Sequence, residues 1–376
     1  MSRVVTVEAV PISYREPTDH DRQRSVCLVK ITGEDGHVGW GECCTYFPDA
    51  TLAAAKLVEG LASIVVGANA LHTEAIWLRM KDQSWWYGTG AGLASLAISG
   101  IDIALWDLKG KILGARVLDL LGGPVHDELP AIASLHGTKA SIEEMAEDIA
   151  RHTATGLHGA KVGFGKAGNA RLGFDAARDI EFAQKVIVAM GPGKSLMVDL
   201  GVKNFWDIPT AITRARAFEA LGVAWLEEPL GHDDPEGYRA LRSASGIRIA
   251  YGEREWNARG VLRILQTGTV DVVGLDPGRV EGITGFRKAA DLCVLYRRQA
   301  NAHNFSTAIV GAASQALSLA SPACRVLELQ PVYGPAQNEI VDKPIWHTDG
   351  FVNLPEGPGL GVEVDEALVR SMAMGG

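Results

Sequence analysis

The sequence is short of everything that marks a membrane, secreted or nucleic-acid-binding protein. No apolar run approaches the roughly 18 residues that a bilayer span needs. The opening MSRVVTVEAV has neither the basic start nor the apolar stretch of a secretory signal. Cysteine is scarce: Cys27, Cys43, Cys44, Cys293 and Cys324 are odd in number and show no CxxC spacing. Such a set suggests neither a disulfide framework nor a zinc knuckle, so reduced, mostly buried thiols are expected. Basic charge is lacking too, with 36 Lys and Arg against 45 Asp and Glu and a net charge of −9. That balance leaves no positive field to hold phosphates and excludes nucleic acid as a natural partner. The expected setting is cytoplasmic, with no membrane and no nucleic acid among the partners.

What is present is enough apolar residue, 47% of 376, to bury one large domain and a smaller one. VVTVEAVPISY and SVCLVKITGEDGHVGWGE are β-rich runs, the second broken by the turn GEDG, and predict an antiparallel sheet. TLAAAKLVEGLASIVVG and LASLAISGIDIALWDLKGKILG then carry apolar residues at three and four spacing, and the second is expected to run on to the glycine stop of LLGGP. Residues 1–125 therefore read as an α+β unit.

Beyond it the pattern changes to short apolar runs alternating with helical stretches. Candidate strands begin at LPAIASL (129), HGAKV (158), SLMVD (195), VAWLE (223), IRIAYGE (247), VDVVGLD (270), RQANAH (298) and RVLEL (325). Their starts lie 23 to 37 residues apart, the pitch of βα units, and eight such steps point to a barrel of parallel strands rather than an open doubly wound sheet. The domain plan is then 1–125 for a capping domain, 126–330 for the barrel and 331–376 for a closing segment.

Chemistry in a barrel belongs at the carboxyl ends of its strands. Those ends read Lys161, Asp199, Glu227, Glu253, Asp276, His303 and Glu328. Asp199, Glu227 and Glu253 fall on three consecutive strands, where converging carboxylates repel unless a cation sits among them. An all-oxygen set of that kind suits Mg²⁺. Asp276 and His303 end neighbouring strands, and a carboxylate on one ring nitrogen leaves the other free to move a proton. His232, Asp233 and Asp234 are a rival cluster that reads as a polar loop opening a helix. GFGKAG (163–168) satisfies G-x-G-x-x-G after a strand, but about 20 residues on the chain reaches the helical RDIEFAQKV instead of a strand-end acid, against a dinucleotide site.

These segments together resemble the enolase superfamily, in particular its mandelate racemase subgroup, over nearly the whole chain. The resemblance is carried by VGWGE (38–42), GIDIALWDLKGKILGARVLDLLGG (100–123), MVD ending at Asp199, WLEEP around Glu227, YGE ending at Glu253, LDPGRVEGITG from Leu275, AHNF around His303, VLE ending at Glu328 and PEGPGLGVEV (355–364). It implies an α/β fold, a (β/α)7β modified TIM barrel under an N-terminal α+β capping domain, with the C-terminal segment returning to the cap. It also implies Mg²⁺, one per subunit, held by Asp199, Glu227 and Glu253; an Asp276–His303 dyad; Glu328 facing the substrate carboxylate; and a homo-oligomer.

The activity so implied is abstraction of a proton next to a carboxylate of a small sugar acid. Members that work on both faces of the carbon carry Lys-x-Lys at the end of the second strand. Here Lys161 takes the first place and Gly163 the second, unless the strand is shifted so that Lys161 is itself the base. Lys166, further out, reads as a solvated loop residue. The missing second lysine favours a dehydratase giving a 2-keto-3-deoxy acid over a cycloisomerase, racemase or epimerase, although Gly201 stands where some relatives place a histidine for the leaving group. An NAD-dependent oxidoreductase and a barrel that binds ligand without turnover are the remote alternatives. Substrate contacts are expected from His20, Tyr46 and Phe47 in the cap loops, with plain surface loop as the alternative, while Trp85 and Trp86 read as further candidates or, alternatively, as cap core.

Overall fold

The computed structural model describes residues 2–87, 91–165, 171–201 and 206–375. β1 (Val4–Glu16), β2 (Arg22–Gly33) and β3 (Val38–Tyr46) form an antiparallel sheet in that order, as the runs on either side of GEDG predict. Helices α1 (Pro48–Val65) and α3 (Leu93–Leu113) pack against it, and α2 (Thr73–Ser84) packs on those two helices. The fit of β3 on α3 depends on glycine. A Cβ on Gly41 would lie 2.0 Å from the Gly100 carbonyl oxygen, and one on Gly39 would lie 2.1 Å from that of Ala104. Backbone therefore rests on backbone, a contact no larger residue permits.

Two expectations for this region are corrected. α3 stops at Leu113, where Gly114 turns left-handed at φ 62° and caps it, and the LLGG run instead closes the short α4 (Val117–Leu120). The cap-core alternative for Trp85 and Trp86 fails: they are 61% and 78% exposed in a 3₁₀ turn, and their rings meet edge to face.

Eight parallel strands follow, β4 (Leu129–His136), β5 (Gly159–Gly163), β6 (Ser195–Asp199), β7 (Trp225–Glu227), β8 (Ile249–Tyr251), β9 (Val272–Leu275), β10 (Gln299–Ala302) and β11 (Leu327–Leu329). Each pairs with the next from β4 to β10, β11 pairs back with β4, and a parallel bridge between Ala300 and Cys324 joins β10 to the approach to β11. Seven helices fill the gaps: α5 (Ile142–Thr153), α6 (Ala176–Met190), α7 (Ile208–Leu221), α8 (Pro235–Ala244), α9 (Ala258–Gln266), α10 (Gly282–Leu295) and α11 (Ala308–Ala320). This is the (β/α)7β barrel under an α+β cap. Asp234 is the N-cap of α8, accepting from the Gly237 amide at 2.8 Å, so the His232–Asp234 cluster opens a helix as read. RDIEFAQKV lies in α6.

Inside the barrel, Ile132, Met197, Trp225, Ala250 and Val272 make a buried apolar layer of their own. Side chains repeat their direction every second residue along a strand. Two residues on from Ile132, Met197 and Trp225 come Ser134, Asp199 and Glu227, so the apolar floor gives way to polar groups at the barrel mouth. The cap is fixed over that mouth by a polar seam. Asp102 of α3 accepts from the Thr284 amide at 2.8 Å and its hydroxyl at 2.7 Å, and Trp106 donates to the same hydroxyl at 2.9 Å. The C-terminal chain returns to the cap, where α12 (Glu366–Ser371) ion-pairs with β1 and β2 through Arg370–Glu8 and Glu366–Lys30. All five cysteines are free and buried. Among the described residues no helix is long and apolar enough to cross a membrane.

Candidate active site

Lys161 is buried in the barrel mouth, its ammonium 2.9 Å from Glu328 Oε1, 3.1 Å from Glu227 Oε1 and 3.6 Å from Asp199 Oδ2. Burial works against the charge, but Glu227, Glu328, Asp199 and Glu253 together raise its pKa well above the ordinary lysine value. One ammonium does not balance so many acids. Glu227 is pushed up to about 8 by burial, with Lys161 opposing and Asp199 and Glu328 adding to the rise. Trp225 Nε1 donates to Glu227 Oε2 at 3.0 Å and fixes the carboxylate's direction. Glu328 accepts from Ser134 Oγ at 3.0 Å and from Asn301 Nδ2 as well as from Lys161, so as placed it is an acceptor on both oxygens.

On the far side, His303 follows β10 and Asp276 follows β9. His303 Nδ1 donates to Asp276 Oδ2 at 2.8 Å, and its Nε2 lies 3.3 Å from Glu253 Oε2. Burial disfavours the imidazolium, yet Glu253 and Asp276 outweigh it and lift His303 to about 9. Glu253 in turn falls to about 2, since His303, Arg279 and Lys161 together overcome its burial. Asp276 Oδ1 is held by the Gly278 amide at 2.8 Å and by Cys44 Sγ at 3.6 Å, so a cap residue steadies the dyad. The cap also sends in Glu42, the last residue of VGWGE, which accepts from the Ser306 and Thr307 hydroxyls and is pushed to about 7 by burial.

The structure thus brings Lys161, Asp199, Glu227, Glu253, Asp276, His303 and Glu328 to one mouth. It also fixes the register of β5. Lys161 pairs with Ser134 and Met197, while Gly163 pairs with His136 and Asp199, so the glycine stands one layer further out, in line with Asp199 and Glu227. Lys166 and the KAG of GFGKAG lie outside the described residues. Tyr46 is half-buried at the cap–barrel seam, where its hydroxyl donates to the Phe305 carbonyl at 3.1 Å and its ring lies between the Arg24 and Arg279 guanidiniums. His20 is exposed on the turn after β1, and Phe47 is 67% exposed at the start of α1.

The donors suit a hard divalent cation: oxygen atoms only, largely buried and in negative excess over Lys161. Among the described residues no three His, Cys, Asp or Glu side chains are drawn into a finished cage, and the Lys161 ammonium ion-pairs with both Asp199 and Glu227.

Sequence reading missed His136, Ser134, Asn301, Trp225 and Cys44. For the first two the signal was present. Ile132, Ser134 and His136 share one face of β4, and LPAIASL was ended one residue early, at Leu135. Trp225 and Asn301 lie within recognised strands, but hydrogen bonds to Glu227 and Glu328 leave no mark on spacing. Cys44 reaches Asp276 across 232 positions of sequence.

Residues 3–122 match the mandelate racemase / muconate lactonizing enzyme N-terminal domain, and residues 144–368 match the enolase C-terminal domain-like family. The chain belongs to the mandelate racemase subgroup of the enolase superfamily. Within that superfamily it is 29% identical over 368 residues to a D-galactarolactone cycloisomerase of Agrobacterium fabrum, covering 94% of this chain and 92% of the relative. A D-gluconate dehydratase of Thermoproteus tenax is 29% identical over 98% of this chain and 74% of its own length. A solved 3,6-anhydro-D-galactonate cycloisomerase from Zobellia galactanivorans superposes with a TM-score of 0.88 at 28% identity, covering 99% of this chain and all of the other. The named relatives are thus lyases and isomerases of sugar acids.

Proposed function

We propose that the protein removes the proton α to the carboxylate of a sugar acid in a Mg²⁺-dependent reaction, with dehydration to a 2-keto-3-deoxy acid as the outcome. The observation that carries this reading is the 2.8 Å His303–Asp276 pair set in one barrel mouth with the acids of three successive strands. Asp199, Glu227 and Glu253 would hold the cation. When bound, Mg²⁺ supplies positive charge where the substrate carboxylate gathers negative charge as the proton departs. Asp276 orients His303 through Nδ1, and Nε2 of the neutral ring, which faces Glu253, would take the α-proton once Glu253 is engaged by the cation. Glu328 faces the carboxylate, its direction set by Ser134 and Asn301. Lys161 contributes a fixed ammonium beside the same group.

Cycloisomerisation is the second reading. The Agrobacterium and Zobellia relatives favour it, and so does Gly201, which brings no acid to a leaving group two residues beyond Asp199. Incubation with D-gluconate, D-galactonate, L-rhamnonate, D-xylonate and D-galactarolactone, with and without Mg²⁺, separates the two. Dehydration gives a 2-keto product trapped as its semicarbazone, while lactone isomerisation consumes D-galactarolactone without that signal. Turnover that is unchanged after chelation, or solvent deuterium that never enters any α-position, would remove the reading.

A further inference from the structure

We propose that strand β3 of the cap is a positioning element for the proton-transfer pair: Cys44 sets the direction of Asp276, and Glu42 ties down the loop that carries His303. The proposal rests on the proton-abstraction reading above. Both residues act through others. Along the β2–β3 ladder Cys27 pairs with Cys43 and then Ser25 with Tyr46, so Cys44 and Thr45 stand opposite the single residue Val26. Such a bulge disrupts the ladder, bends the strand and re-aims a side chain. The Cys44 amide donates instead to the Gly278 carbonyl at 3.2 Å, on the turn that follows β9. Cap backbone is thereby joined to the turn that holds Asp276.

The side chain follows the backbone. Cys44 Sγ lies 3.6 Å from Asp276 Oδ1 and 3.6 Å from Glu42 Oε1, so one thiol links the two acids. Burial, with Asp276 and Glu42 beside it, raises the thiol well above its ordinary pKa, and the sulfur keeps its hydrogen. Asp276 Oδ1 also accepts from the Gly278 amide at 2.8 Å. The fit is close: a Cβ built on Gly278 would lie 2.3 Å from the sulfur, so any larger residue there would push the thiol off the turn. With Oδ1 held in this way, Oδ2 is the oxygen that meets His303 Nδ1 at 2.8 Å.

Glu42, two residues earlier on β3, serves the other loop. Its carboxylate is fully buried and accepts from the Ser306 hydroxyl at Oε1 and from the Thr307 hydroxyl at Oε2, the latter at 2.5 Å. Thr307 is in turn the N-cap of α11, accepting from the Ile309 amide at 3.2 Å. The chain between His303 and α11 is thus pinned where the helix begins, and Tyr46 pins it again through the Phe305 carbonyl at 3.1 Å. Acid and base sit on separate loops, one after β9 and one after β10. β3 is bonded to both, and what it holds constant is their relative placement.

The test uses Cys44→Ala and Cys44→Ser in the full chain, with whichever of D-gluconate, D-galactonate, L-rhamnonate, D-xylonate or D-galactarolactone the wild type converts. Alanine removes the donor to Asp276 and keeps the backbone bond to Gly278, whereas serine restores a donor. Cys44→Ala is expected to lower kcat about 10-fold with KM within about twofold of wild type, and Cys44→Ser to recover most of the loss. In protein labelled with ¹⁵N-histidine, the Nδ1 proton of His303, assigned by its disappearance in His303→Asn, is expected to shift in Cys44→Ala and to return towards its original position in Cys44→Ser. Glu42→Gln, which keeps a partner for both hydroxyls, is expected to lose less kcat than Glu42→Ala. Equal losses in the alanine and the conservative variants, an effect confined to KM or to the melting temperature, or an unmoved His303 signal overturns the role of β3 and leaves the reaction standing. A wild type that converts none of the five overturns the reaction, and the histidine signal then decides alone whether β3 holds the pair.

Discussion

Two imidazoles reach the barrel mouth, and their surroundings differ in kind. His303 is held by the barrel, between Asp276 and Glu253 on neighbouring strand ends, so both its nitrogens face carboxylates. His136 has a neutral Nδ1 partner, the Thr18 carbonyl, and that partner comes from the cap. A carboxylate partner does two things at once, fixing the ring and favouring its charged form, whereas a carbonyl fixes the ring alone. The cap reaches both flanks: Cys44 Sγ lies 3.6 Å from Asp276 Oδ1, and the Thr18 carbonyl of the turn at residues 17–21 meets His136 Nδ1.

The comparison breaks first at His303. His303→Asn is expected to abolish measurable turnover, a loss of at least about 10³-fold, while Mg²⁺ binding by titration calorimetry persists. Retention of most activity would move the chemistry away from this flank altogether. Asp276→Asn tests whether the carboxylate, rather than mere packing, distinguishes the flanks. It leaves the ring in place with a neutral partner, like that of His136, and is expected to cost roughly 10- to 100-fold in kcat with little change in KM. A loss confined to KM would show that the pair positions substrate instead of moving protons. Smaller still is the effect of Trp225→Phe, which removes the 3.0 Å hydrogen bond to Glu227. Mg²⁺ affinity is expected to fall about 10-fold. An unchanged calorimetric titration would show that Glu227 needs no such support or takes no part in binding.

The two flanks were unequally legible in the sequence for the same physical reason. The acids close short apolar strands such as VVGL and sit where the run ends, so the end of the run announces them, while His303 follows the half-polar QANA and is placed by the βα pitch. His136 ends an eight-residue strand whose last turn inward comes after Leu135, and a run counted by hydrophobicity stops there. Gly163 could be read as a missing lysine, but what fills its space comes from the neighbouring strand, and single-chain spacing holds no record of that. The eight strand positions and the cap sheet followed from periodicity and turn chemistry, whereas α3's end and the exposure of Trp85 and Trp86 did not. In α3 a glycine inside a long helical pattern proved to be the cap. For the tryptophans, size and apolarity suggested burial that packing does not provide.

The cap–barrel seam supplies a third setting, a buried acid whose hydrogen-bond donors are all neutral. Asp102 is fully buried, accepts from the Thr284 amide and hydroxyl, and is pushed up to about 7, mainly by burial, with Glu74 and Glu281 adding to the rise against the Thr284 hydrogen bonds. The sign follows from linkage. In the unfolded chain the group ionises near about 4, so its contribution to stability is fully present below that pH and is lost as pH rises through about 7. Asp102→Asn keeps the shape and removes the titration. Urea unfolding at pH 5 and pH 8 should therefore show wild type losing ground to Asp102→Asn on the way up, by an amount on the order of 1–3 kcal/mol. A difference that stays constant between the two pH values would mean that Thr284 alone keeps the carboxylate ionised in the fold. The charge at the barrel mouth would then owe less to burial and more to hydrogen bonding.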